Sequence, residues 1–118
     1  MDILVTNNPL VQAQFQSGIK VEYTDTNLLG VMTKVRDLIH QGHRLLTHPL
    51  SGSVKPNETL YKSVLLTEVQ EGTDAQSVTI IEECIIAAQK FQPRQIPEKY
   101  MNDMQVVDLS LIRTALQK

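Results

Sequence analysis

The stretch Thr47-His48-Pro49-Leu50-Ser51-Gly52-Ser53-Val54-Lys55-Pro56-Asn57-Glu58-Thr59 brings hydroxyls, an imidazole, a lysine and a carboxylate together between two prolines that limit its freedom. Gly52 would let backbone approach a bound molecule. These residue types suit a pocket for a small polar or anionic ligand, with Thr47, His48, Ser51, Gly52, Ser53, Lys55, Asn57 and Glu58 as candidate contacts. His48 is the candidate acid or base, and Glu58 is a partner for it or for Lys55. The same composition also fits a connection whose hydroxyls and asparagine satisfy their own backbone through turns. Ser51 and Ser53 flank Gly52 without the G-x-S-x-G elbow of a serine nucleophile, and neither the Walker phosphate loop nor G-x-G-x-x-G is present. His40 and His43 have a three-residue spacing, but a helix C-terminus favours histidine without a metal, and the sequence motivates neither a metal nor a cofactor. Cys84 falls beside an apolar helical stripe and reads as an inert core thiol.

The elements around this loop set its position. Ile3, Leu4 and Val5 form a short apolar run expected of a strand buried on both faces. Asn8 and Pro9 then read as N-cap and first residue of a helix carrying Leu10, Val11 and Phe15. Asn7 and Asn8 would thereby face the crevice at the carboxyl end of the first strand, with backbone N–H groups and the positive helix end beside them. Beyond Gly18, Ile19, Val21 and Tyr23 alternate with Lys20, Glu22 and Thr24 as an edge strand. Asp25 or Thr26 offers the cap for a helix built on Leu28, Val31, Met32, Val35, Leu38 and Ile39, closed by Gly42. Leu45-Leu46 reads as a third strand and Val64-Leu65-Leu66 as a fourth. Thr73 and Gln76 form a capping box for a second long helix with Val78, Ile81, Ile85 and Ala88 inward, ending before Pro93. A C-terminal helix carries Val106, Leu109, Ile112 and Leu116, with Asn102 or Asp108 as alternative caps.

This alternation predicts one α/β domain over residues 1–118. It has three layers: a mainly parallel sheet of about four strands with helices on both faces, Rossmann-like without the dinucleotide fingerprint. The short connection from the third strand to the fourth leaves an antiparallel or irregular step open there.

Composition sets the outer bounds. The 118 residues are 42% hydrophobic, enough for one core, and no apolar run is long enough for a membrane helix. One cysteine and no secretory signal fit the cytoplasm. The net charge of −2 gives no general attraction for nucleic acid. Between Arg44 and Ser63, however, Arg44, Lys55 and Lys62 against Glu58 leave an excess of +2, so the remainder carries −4. This contrast points weakly toward an anionic ligand or partner surface.

The stretches VTNNPLV and GHRLLTHPLSGSVKPNETLYKSV resemble the GrdX family, small proteins encoded beside components of glycine, sarcosine and betaine reductases. The resemblance runs over most of the chain. It implies an association with cytoplasmic anaerobic amino-acid reduction, whose catalytic subunits use selenocysteine, thiols and acetyl phosphate formation. It supplies no catalytic residue to carry over. Three readings follow. The first is an accessory or ligand-sensing module that binds a small anion or a reductase subunit. The second is a small enzyme acting on a phosphorylated or acylated metabolite through His48. The third is a structural protein that assembles a complex or a homodimer through the edge strand Ile19 to Thr24.

Overall fold

Strand β1, Ile3–Thr6, is buried along its whole length because residues of both parities are covered. Ile3 and Val5 enter one apolar cluster and Leu4 the other, the two-residue period that a strand covered on both faces requires. The computed structural model describes residues 1–15, 18–50, 60–90 and 97–116. Ser51, Gly52, Ser53, Lys55, Asn57 and Glu58 therefore lie outside the described residues.

Helix α1, Pro9–Gln14, starts as its sequence indicates, with the Asn8 side chain accepting from the Leu10 N–H at 3.0 Å and Pro9 at the first position. It crosses to β2, Lys20–Tyr23, which lies parallel beside β1 with Ile3 opposite Lys20 and Thr6 opposite Tyr23. Helix α2, Leu28–His40, is capped by Asn27 rather than Asp25 or Thr26, with the Asn27 amide oxygen accepting from the Gly30 N–H at 2.9 Å. Its apolar stripe is fully used, and Gly42 turns the chain at φ 107°, a value that favours glycine.

The sheet departs from the sequence reading at the next step. Strand β3, Ser63–Leu66, pairs antiparallel with β1, placing Ser63 opposite Thr6 and Leu66 opposite Ile3. The described sheet has three strands in the order β2-β1-β3, with one parallel and one antiparallel pair. It is thus a mixed sheet, not a mainly parallel, Rossmann-like sheet of about four strands. Leu45 contributes one isolated bridge to Leu66 in place of a third strand. Two side chains explain the loss. Thr47 Oγ1 accepts the Leu65 N–H at 3.0 Å, and Ser77 Oγ accepts the Leu45 N–H at 3.1 Å, so side chains replace the backbone partners of a longer ladder. Residues 47–62 return the chain to the sheet, and β3 runs antiparallel to β1.

Helix α3, Ala75–Lys90, begins one residue later than the capping-box reading. Asp74 caps it by accepting both the N–H (3.0 Å) and the hydroxyl (2.7 Å) of Ser77. These two bonds hold the Asp74 carboxyl below its usual range. Helix α4, Met101–Leu116, follows a single 3-10 turn at Glu98–Tyr100, so Asp108 is a mid-helix residue rather than a cap. Helices α2 and α3 cover the Ile3 and Val5 face, and α1 and α4 cover the Leu4 and Leu65 face. Among the described residues, no helix is long and apolar enough to cross a membrane.

Candidate functional site

The carboxyl end of β1 is built from polar residues that are almost entirely withdrawn from water. Thr6, Asn7, Asn8, Lys62, Ser63 and Asp108 are all buried. Burial of so many polar groups is stable only if each is paired, and here they form a continuous network. Asp108, 4% exposed, reaches from α4 and accepts three bonds: the Ser63 N–H at 3.0 Å, the Ser63 hydroxyl at 2.7 Å and the Asn8 amide at 3.0 Å. Because Ser63 spends its hydroxyl hydrogen on Asp108, the 2.7 Å contact between Thr6 Oγ1 and Ser63 Oγ must have Thr6 as donor. Thr6 Oγ1 in turn accepts the Asn8 N–H at 3.0 Å. The hydrogens therefore run in one direction, from Asn8 through Thr6 and Ser63 to Asp108.

Asn7 joins three segments. Its amide nitrogen donates to the carbonyls of Thr26 and Leu60, each at 2.8 Å, and its oxygen accepts the Lys62 N–H at 2.9 Å. Asn8 is used as completely, donating to the Gln105 carbonyl at 2.9 Å besides its bonds to Asp108 and Leu10. Both donors of each amide are spent on the protein itself, so these residues shape the edge and fix where the 47–62 connection returns. The start of α1 is closed off too, since the Asn8 and Leu10 N–H groups already have side-chain acceptors.

The connection leaves from the same end. Thr47 is half-buried and tied to Leu65, whereas His48 is exposed and its Nδ1 accepts the Leu50 N–H at 3.0 Å. A neutral His48 in this geometry carries its hydrogen on Nε2 and presents a donor outward. Two clefts open at the opposite end of β1. One of about 360 Å³ is lined by Arg44, Thr67, Glu68 and Asp74, and one of about 660 Å³ by Lys20, Glu22, Lys34 and His43. His43 is engaged by the Thr67 carbonyl at 2.7 Å. Cys84 is buried, and desolvation raises its thiol to about 11, which suppresses the reactive thiolate near neutral pH.

Lys62 is the buried cation of the edge. Desolvation lowers its pKa, while the neighbouring Asp108 charge opposes that shift. A lysine whose folded pKa is depressed costs stability below that pKa, and the cost is relieved as pH rises toward the ordinary value of 10.5. The unfolding free energy of Lys62→Met should therefore exceed that of the wild type by most near neutrality, with the gap narrowing as pH rises. Chemical denaturation of both chains across the alkaline range reads this directly. Cys84 titrates with the opposite slope and its thiol pKa is itself lowered by the Lys62 charge, so both chains carry Cys84→Ala. A gap that widens with pH would contradict the assignment.

Thr6, Lys62, Ser63 and Asp108 are the residues that sequence reasoning missed. The available signal was a carboxylate at position 108, on the same helical face as Leu109 and Ile112, where a solvated aspartate has no place.

A family model described as GrdX-like protein matches residues 3–117. The chain belongs to the GrdX-like family. No curated protein and no solved structure matches it. The match includes both ends of the polar edge, so the segments carrying Asn7 and Asp108 of this GrdX-like protein fall within the family region.

Proposed function

We propose that this GrdX-like protein is a non-catalytic accessory module of a cytoplasmic glycine, sarcosine or betaine reductase system. It binds a small anionic ligand or a reductase subunit at the carboxyl edge of β1. The observation that carries this reading is that both ends of the polar connection are anchored at that edge, Thr47 through the Leu65 N–H and Lys62 through its own N–H to Asn7. The excess of +2 between Arg44 and Ser63 favours an anion there. Contacts come from Thr47, His48, Ser51, Gly52, Ser53, Lys55, Asn57 and Glu58, while Asn7 and Asn8 keep the edge in shape.

A thermal-shift series with phosphate, acetyl phosphate, glycine and betaine tests the small-ligand form. A ligand present at about 100 times its Kd stabilises by about 2.7 kcal/mol, which for a domain of this size raises Tm by roughly 10 °C. Acetyl phosphate or phosphate is expected to give that shift, and Lys55→Gln to remove it while leaving the unliganded Tm unchanged. If none of the four moves Tm, the small-ligand form fails. The subunit form then stands or falls on binding of purified reductase components to the immobilised protein.

A further inference from the structure

Strand β2 is an edge, since among the described residues only β1 pairs with it. The direction of its free groups follows from the ladder it does make. Lys20 N–H donates to the Asp2 carbonyl at 3.0 Å and Thr24 N–H to the Thr6 carbonyl at 2.9 Å, so the even-numbered residues spend their backbone groups on β1. The N–H and C=O groups of Ile19, Val21 and Tyr23 consequently point away from the sheet, as strand alternation demands. The side chains divide with the same period. Glu22 turns toward α2, where Lys34 lies 3.3 Å away and Lys20 3.5 Å, while Ile19 and Val21 join the α1 and α4 face. Beside the edge on that second face lies a groove of about 440 Å³ lined by Gln12, Ala13, Phe15, Ile19 and Val21.

We infer that this edge pairs with the β2 edge of a second copy of the chain, antiparallel about Val21, to form a continuous six-stranded sheet. The charge pattern selects this partner and this register. With Val21 opposite the second copy's Val21, Lys20 stands opposite the second copy's Glu22, and Glu22 opposite its Lys20. Registers centred on position 20 or 22 instead set lysine against lysine or glutamate against glutamate, and like charges directly opposite destabilise a pair. Backbone geometry accommodates this register. Val21 against Val21, and Ile19 against Tyr23, are then hydrogen-bonded pairs built from the outward-facing groups. The Lys20 and Glu22 pairs fall at the closer, non-hydrogen-bonded positions, where side chains approach best. On the opposite face, the second copy's Tyr23 is set beside Ile19 and covers the groove at Phe15. Charged residues on an edge commonly deter pairing. Here they deter the two neighbouring registers and favour the one centred on Val21. The two candidate ligand edges would face opposite ends of the joined sheet.

Charge exchange tests the inference, read by sedimentation equilibrium and light scattering on the full chain. The wild type is expected to dimerise as concentration rises. Lys20→Glu and Glu22→Lys, each alone, should weaken self-association about tenfold or more, because each converts two attractive pairs into two repulsive ones. An equimolar mixture of the two variants should recover a dimer, since one chain then offers only carboxylates at positions 20 and 22 and the other only ammonium groups. Val21→Pro deletes an outward N–H that β1 does not use and should give a folded monomer. If that variant fails to fold, the charge mixture still decides. A wild type that is monomeric at every concentration overturns the inference. So does a dimer indifferent to both charge variants, or a mixture that does not reassociate.

Discussion

Replacing Asp108 by alanine is expected to lower the unfolding free energy by about 3–5 kcal/mol, a large share of the roughly 5–15 kcal/mol that a domain of this size has in total. The size follows from what the substitution strands. The Ser63 N–H, the Ser63 hydroxyl and the Asn8 amide all donate to this one carboxylate, and both of those residues are buried. A buried donor left without an acceptor costs about 1–3 kcal/mol. Lys62 loses its compensating charge at the same time and becomes harder to keep protonated. Part of the loss is offset because a buried carboxylate is itself costly to desolvate. Asp108→Asn separates charge from hydrogen bonding. Its amide oxygen can still accept the Ser63 N–H, and the Ser63 hydroxyl can turn toward Thr6 to receive the new N–H donor, but the Asn8 amide loses its acceptor because it shares the replaced oxygen. The asparagine variant should therefore lose about half as much as the alanine variant. Urea unfolding of the three chains gives the comparison, and equal losses for the two variants would show that the charge, rather than the donor pattern, holds α4 to the sheet.

Asp108 also shows why part of the fold was legible in sequence and part was not. Local signals suffice where chemistry and position coincide: Asn8 before Pro9 does cap α1, and the stripe from Leu28 to Ile39 is the buried face of α2. The caps of α2 and α3 were displaced by one residue or more to Asn27 and Asp74, because several neighbouring polar side chains have the same local credentials and only the final backbone path chooses among them. Strand direction carried no local signal at all. Val64, Leu65 and Leu66 read identically in a parallel or an antiparallel neighbour, and only their pairing with β1, distant in sequence, sets the direction. Leu45 and Leu46 look like a strand by composition, but Thr47 and Ser77 take the positions that a ladder would have used. The polar edge was half legible. Asn7 and Asn8 stood out beside a helix start, whereas their partners at positions 60, 62, 105 and 108 are distant in sequence and meet them only through the fold.

Asn7→Ala should cost about 2–3 kcal/mol and should also loosen the candidate site, two effects that can be read separately. The truncation removes both donors and the acceptor of a buried amide, leaving the Thr26 and Leu60 carbonyls and the Lys62 N–H without the partners they have in the wild type. Those three groups belong to the turn before α2 and to the returning end of the 47–62 connection, so the amide fixes the position of the connection relative to the end of β1. Asn7→Asp keeps an acceptor for the Lys62 N–H but sets a carboxylate oxygen against two carbonyl oxygens, and it should cost at least as much despite its nearly identical shape. Denaturant midpoints measure the stability term, and a variant within about 0.5 kcal/mol of the wild type would show that the clamp is dispensable. The ligand term is the change in Tm that phosphate or acetyl phosphate produces in each variant, taken relative to its own unliganded Tm. If the carboxyl edge is the binding site, that increment shrinks in Asn7→Ala although no ligand contact has been removed, because part of the binding free energy must then be spent on ordering the connection. An increment that survives intact would place binding elsewhere on the molecule, with the two clefts at the amino end of β1 next in line.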